Sequence, residues 1–177
     1  MSILIHNLES KEWNAVDYKA FTEEEELKRL LVESPKILPA EDLKVSFVVA
    51  IPEFGLGTGS ADILAFSTDG DVAIIECKLS SNPDIKRRVV GQILEYASYL
   101  WGMSYEQIDG KVNEKQGKSL AELVRNKAEG QWDEENFREG VKNSLEKGGF
   151  FLVVAVDKIN EELKRTVQYL NGCGNPA

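Results

Sequence analysis

Hydrophobic and polar positions change period along this chain. Leu27, Leu30 and Leu31 recur at helical spacing behind a run of glutamates and predict a helix over 22–34. Thr22 and Glu25 have the spacing of a capping box, and the acidic first turn suits the helix dipole. Pro35 and Pro39 bracket its exit. KVSFVVAI (44–51) predicts a strand, and PEFGLGTGS (52–60) reads as a glycine-rich loop too irregular for a phosphate-binding fingerprint. ADILAFS (61–67) and DVAIIECK (71–78) predict two strands of a hairpin around Thr68-Asp69-Gly70. PDIKRRVVGQILEYASYLW (83–101) predicts a long helix, with Pro83 early and Gly102 just past its end. Val89, Val90, Ile93, Leu94, Ala97, Leu100 and Trp101 define its expected buried face. Residues 103–149 are polar and mostly helical. FFLVVAVD (150–157) is a continuous apolar run, as in a central parallel strand, and EELKRTVQYL (161–170) predicts a final helix. The first twenty residues are ambiguous: SILI suits a short strand, and Trp13, Val16, Tyr18 and Phe21 are candidates to pack on the core.

Strands with apolar residues on both faces, alternating with helices, predict an α/β fold: a mixed central sheet flanked by helices on both faces. With 177 residues the chain suits one domain, 1–177, with an extension over 1–21 and a helical insertion over 103–149. No apolar run is long enough to span a bilayer. The start lacks a basic, secretory-type leader, and the two cysteines, Cys77 and Cys173, form no disulfide framework, so a cytoplasmic location is expected. His6 is the only histidine, which argues against His-rich zinc sites and Ser-His-Asp catalysis. The net charge of −9 argues against a broad basic surface for nucleic acid but leaves room for a local basic patch.

The strand 71–78 ends in two charges. Period two places Glu76 and Lys78 on one face with Ile74, while Cys77 points the other way. If the hairpin loop has three residues with Gly70 left-handed, Ser67 opposes Asp71 and Asp62 opposes Glu76. A two-residue loop would shift the register by one and put Asp62 on the wrong face. In the first register two carboxylates lie side by side with one ammonium, which cannot fully offset both. A hard divalent ion on Asp62 and Glu76, with the Cys77 carbonyl as a third oxygen, would resolve the imbalance; a simple ion pair at a strand end is the alternative.

Asp62 followed by Glu76-x-Lys78 resembles the PD-(D/E)xK nuclease superfamily, of restriction-endonuclease-like fold. Gln92-x-x-x-Tyr96 on the next helix is similar to the Gln-x-x-x-Tyr motif of RecB-like nucleases. EEELKRLLVESPKILP is like the opening helix of this group, and FREGVKNSLEKGGFFLVVAVDKINEELKRTVQYLN resembles the C-terminal half of a bacterial branch. The resemblance runs from about Thr22 to Asn171, with Ala61 in place of the usual proline. It implies an αβββαβ core with Asp62 and Glu76 as magnesium or manganese ligands. Lys78 would be the catalytic lysine, and Gln92 and Tyr96 would line a nucleic-acid cleft. For the opening-helix glutamate, Glu25 is taken by capping and Glu23 and Glu24 both lie near the leucine stripe; Glu24 sits at the expected distance before Leu27 and Pro35. Arg88 shares the row of Gln92 and Tyr96, and Lys86, Arg87 and Arg88 near the helix start suit phosphates; a solvated helix edge is the other reading of that row. Related proteins continue beyond the point where this chain stops, so a piece of a longer protein is also expected.

The expected function is a metal-dependent nuclease hydrolysing phosphodiester bonds in DNA, with a homodimer as one assembly. The alternatives are an inactive nucleic-acid-binding module and a protein-interaction domain on the same fold.

Overall fold

A computed structural model describes residues 3–6, 13–16, 21–38, 45–80 and 85–173, with backbone alone for 3–6, 13–16 and 85–87. Tyr18, Pro39, Pro83 and the side chains of His6, Trp13, Val16, Lys86 and Arg87 lie outside that description. Near the start, β1 (Ile3–His6) and β2 (Trp13–Val16) pair antiparallel as a ribbon of their own.

The leucine stripe forms α1 (Glu24–Glu33), and its buried Leu27 and Leu31 pack on one face of the main sheet. The capping box does not form. The helix starts one residue later than that motif requires, with Glu23 at the N-cap and no side-chain cap bond. Glu25 instead meets Lys28 one turn on, at 3.2 Å.

Residues 52–60 are not a loop. Strand β3 (Phe47–Leu56) runs on through them and turns at Gly57-Thr58 into β4 (Gly59–Ser67). Phe54, Leu56 and Ala61 are buried there, so the alternation of a strand persists beneath the glycines. Pro52 falls in β3, an end strand of the sheet, where a proline within a sheet is ordinarily found. Strand β5 (Val72–Lys78) pairs antiparallel with β4, and β6 (Phe150–Val156) pairs parallel with β5, giving the order β3-β4-β5-β6. The fold is therefore α/β with a mixed four-stranded sheet, among the described residues.

The β4–β5 turn has three residues. Ile63 pairs with Ile75 and Phe66 with Val72, and Ser67 N–H donates to the Asp71 carbonyl at 3.0 Å. This register sets Asp62 opposite Glu76. Gly70 takes φ +89°, and a Cβ there would lie 2.4 Å from Val141 N. Turn and helix touch backbone to backbone at this point.

Between β5 and β6 come α2 (Ile85–Leu100), α3 (Tyr105–Gln116), α4 (Leu120–Arg125) and α5 (Glu134–Lys147); α6 (Glu161–Cys173) follows β6. Helices α2–α5 bury Ile93, Ile108, Val124 and Phe137 in one cluster with Leu64, Phe66 and Ile74. The polar stretch 103–149 thus contributes to the main core. Helix α1 covers the opposite face over Ile63, Ala65 and Ile75.

Two expectations about packing change. The buried face of α2 is Val89, Ile93, Tyr96 and Leu100, while Leu94 and Trp101 are 46% and 64% exposed. Tyr96 can lie inward because its ring is apolar and its hydroxyl reaches a polar edge. Strand β6, expected at the sheet centre, is its end strand and only half-buried. Its unbroken apolar run reflects cover on both faces: Phe150 and Val154 join one cluster, Phe151 and Val153 the other. Among the described residues no helix is long and apolar enough to cross a membrane.

Candidate functional site

The β4–β5 ladder ends at Ile63 and Ile75, and side chains continue it. Cys77 N–H donates to Asp62 Oδ2 at 2.8 Å, and Asp62 N–H donates to Glu76 Oε1 at 3.3 Å. Each carboxylate thus substitutes for a carbonyl of the neighbouring strand and is fixed by it.

Lys78 lies in the centre of these groups. Its Nζ donates to the Cys77 carbonyl at 2.9 Å and stands 3.6 Å from Asp62 Oδ2 and 3.7 Å from Glu76 Oε2. Those are the three oxygens expected around a metal, and the ammonium is their common cation here. Glu24, from the first turn of α1, completes the group: Oε2 is 3.4 Å from Lys78 Nζ and Oε1 accepts Leu79 N–H at 3.2 Å.

Burial sets the charge states. The Glu76 side chain is 3% exposed, and burial, followed by the Asp62 charge, pushes its pKa up to about 7. Burial works against the Lys78 ammonium, but Asp62, Glu24 and Glu76 outweigh it and the pKa is raised. The Cys77 thiol points to the opposite face, and burial and Asp62 push it to about 12, so it is no nucleophile.

A second lysine, absent from the expectations, is the larger addition. Lys28 of α1 is buried, with Nζ 3.3 Å from Asp62 Oδ1 and 3.2 Å from Glu25 Oε2 and a hydrogen bond to Glu53. Burial alone would depress its pKa; the Glu53 bond and the Asp62 charge raise it instead. Glu53 has the one positive φ outside glycine among the described residues, +49°, and is also bound by Ser60 Oγ at 3.2 Å. Lys28 sits one helical turn beyond Glu24, where a lysine ordinarily reads as the solvated partner of Glu25. Glu53 sits in a stretch that reads as a loop.

On α2, Tyr96 is buried, and its pKa is raised by burial and then by the charges of Glu76 and Asp62. Its hydroxyl lies over Gly59, where a Cβ would come within 3.0 Å. Gln92, one turn before Tyr96, keeps its Oε1 buried without a partner. Arg88 is exposed. Asp157, at the end of β6, accepts Ser80 N–H at 2.6 Å and Ser80 Oγ–H at 3.1 Å, clamping the segment that follows Lys78. Trp132 packs on Phe137 and donates to the Thr68 carbonyl, and Cys173 is an exposed free thiol.

Among the described residues no three His, Cys, Asp or Glu side chains are grouped to hold a metal ion. The third oxygen here belongs to the main chain, at Cys77. Two carboxylates and a carbonyl are hard oxygen donors, which fit magnesium or manganese rather than zinc. Compared with protein-family models, curated proteins and solved structures, the chain finds no match.

Proposed function

We propose that the chain is a metal-dependent nuclease that hydrolyses phosphodiester bonds in DNA, on a core of the PD-(D/E)xK kind. The observation that carries this reading is the convergence of Asp62 Oδ2, Glu76 Oε2 and the Cys77 carbonyl on one cation position, now held by Lys78 Nζ. The order α1, β3, β4, β5, α2, β6 supports it, with Glu24, Asp62, Glu76 and Lys78 brought to one end of the sheet.

Asp62, Glu76 and the Cys77 carbonyl would hold magnesium or manganese, which supplies Lewis acidity toward a phosphate oxygen and lowers the pKa of water. Lys78 keeps its proton among three carboxylates, so it serves as a donor that orients water and offsets charge growing on the phosphate. Glu24 fixes that amine through Oε2 and the end of β5 through Oε1. Tyr96, whose ring feels the Glu76 and Asp62 charges, and Gln92, with an unpartnered buried amide oxygen one turn before it, offer polar groups suited to nucleotide contacts.

Manganese titration by calorimetry tests the reading. Saturable uptake by the wild type, lost in Glu76→Ala, together with cleavage lost in folded Asp62→Ala and Lys78→Ala, is the expected result. A specific observation favours a second reading, a non-catalytic nucleic-acid-binding module: Lys28 and Lys78 already neutralise part of the cluster. That reading expects salt-sensitive binding, no metal uptake and no cleavage.

A further inference from the structure

Three lysines meet the β3–β4 hairpin beside the carboxylate pair. Lys28 bonds the Glu53 side chain, Lys115 Nζ donates to the Glu53 carbonyl at 3.1 Å, and Lys111 Nζ donates to the Gly55 carbonyl at 3.3 Å. Lys111 and Lys115 lie one turn apart on α3 and are exposed. Carboxylates of Glu25, Glu53 and Asp62 surround Lys28, whereas Lys111 and Lys115 meet main-chain carbonyls.

The partners of Lys28 differ in how firmly they are held. An ammonium has three donors, and Lys28 finds three carboxylates. Asp62 is partly buried, with its side chain 17% exposed and its other oxygen fixed by Cys77 N–H. The Glu53 side chain is 49% exposed and reaches the amine only through a left-handed backbone that a glutamate rarely adopts. Glu53 is flanked by the pairs Pro52↔Ile63 and Phe54↔Ala61, and so lies across from Asp62. A half-exposed anion from a strained position, seated on a buried cation next to the carboxylates, is replaceable by another anion. The carbonyl partners of Lys111 and Lys115 are uncharged, so both amines keep their full attraction for phosphate.

We infer that the β3–β4 hairpin is a nucleic-acid backbone track: Lys28 takes a phosphate in place of Glu53, and Lys111 and Lys115 take phosphates further along the same strand. The inference rests on the nuclease reading for the identity of the anion. It assigns Glu53 as a built-in competitor that weakens binding until a phosphate displaces it.

The test is fluorescence anisotropy with a labelled single-stranded DNA oligonucleotide in calcium-containing buffer, at several salt concentrations, with melting curves for each variant. Glu53→Gln should tighten binding about fivefold, the scale of removing one partly exposed ion pair. Adding Lys28→Met should abolish that gain, whereas Lys28→Arg should retain it. The slope of log affinity against log salt should shrink by about 0.7 in Lys28→Met and by about 1.4 when Lys111 and Lys115 both become glutamine, the single-strand value of about 0.7 per phosphate contact. Unchanged affinity in Glu53→Gln, or equal tightening without Lys28, overturns the track, as does absence of binding in every variant. Manganese titration of the same variants in calcium-free buffer separates the two readings. Uptake with unchanged DNA affinities leaves the metal site and removes the track; tightened DNA binding without uptake supports the track and removes the nuclease.

Discussion

Asp62 and Glu76 each hold the other's strand. The Asp62 carboxylate accepts Cys77 N–H while the Glu76 carboxylate accepts Asp62 N–H, so the two anions cannot separate without opening the end of the β4–β5 ladder. Like charges are kept adjacent by backbone bonds, and nearby lysines offset their repulsion.

That arrangement makes stability depend on pH through Glu76. Its pKa rises from 4.5 to about 7 on folding, through burial and then Asp62. The folded chain therefore holds this proton more tightly than the unfolded one. The favourable contribution is full below about 4.5, declines as pH rises, and is gone above about 7. With metal chelated, Glu76→Gln should raise the melting temperature more at pH 8 than at pH 5, by a difference on the order of 5 °C. An equal shift at both values would contradict the assignment.

Lys78 and a metal ion compete for the same three oxygens. Lys78→Met should therefore bind manganese at least as tightly as the wild type in calorimetry, while DNA cleavage falls by about 10²-fold or more. Weaker uptake in this variant would show that the lysine helps to build the site rather than occupying its centre.

The β4–β5 turn depends on Gly140 of α5, where an added Cβ would come within 1.9 Å of the Asp69 carbonyl. Alanine in a helix usually stabilises relative to glycine, and Gly110→Ala in α3, with open space around it, should do so by about 0.5–1 kcal/mol. Gly140→Ala should instead cost about 2–4 kcal/mol in urea unfolding. Similar effects at both positions would mean that the turn yields without consequence.

Gln92 carries a buried oxygen without a partner, a cost normally avoided. Gln92→Met should stabilise the fold by about 1 kcal/mol and weaken DNA binding or cleavage. Gain of stability with undiminished activity would assign the orphan oxygen no function.

Much of the carboxylate pair was legible because two rules of short range decide it. Period two put Glu76 and Lys78 on one face, and the three-residue turn with Gly70 set Asp62 opposite Glu76. The flanking parts were not legible for equally specific reasons. Glu53 needs a positive φ that sequence does not encode for a glutamate, and glycines hid the alternation of Phe54, Leu56 and Ala61. Lys28 has a sufficient local partner in Glu25, so nothing along the helix indicates its reach to Asp62 on another element. Tyr96 was assigned to a row apart from the buried face because spacing cannot say which end of an amphipathic ring lies inward. Strand β6 lies at the end of the sheet rather than its centre, because an apolar run reports what lies above and below a strand, not how many neighbours it has.

Strand β5 takes as its parallel neighbour a segment far downstream, with Val72 beside Phe150 and Glu76 beside Val154. All of α2 to α5 must be traversed before that pairing can close. Loop closure over such a span is slow compared with hairpin formation. A β4–β5 hairpin formed before that pairing leaves Asp62 and Glu76 hydrated. Their shared chemistry is acquired last, when the distant strand docks and water leaves, so a folding intermediate without β6 would be chemically silent.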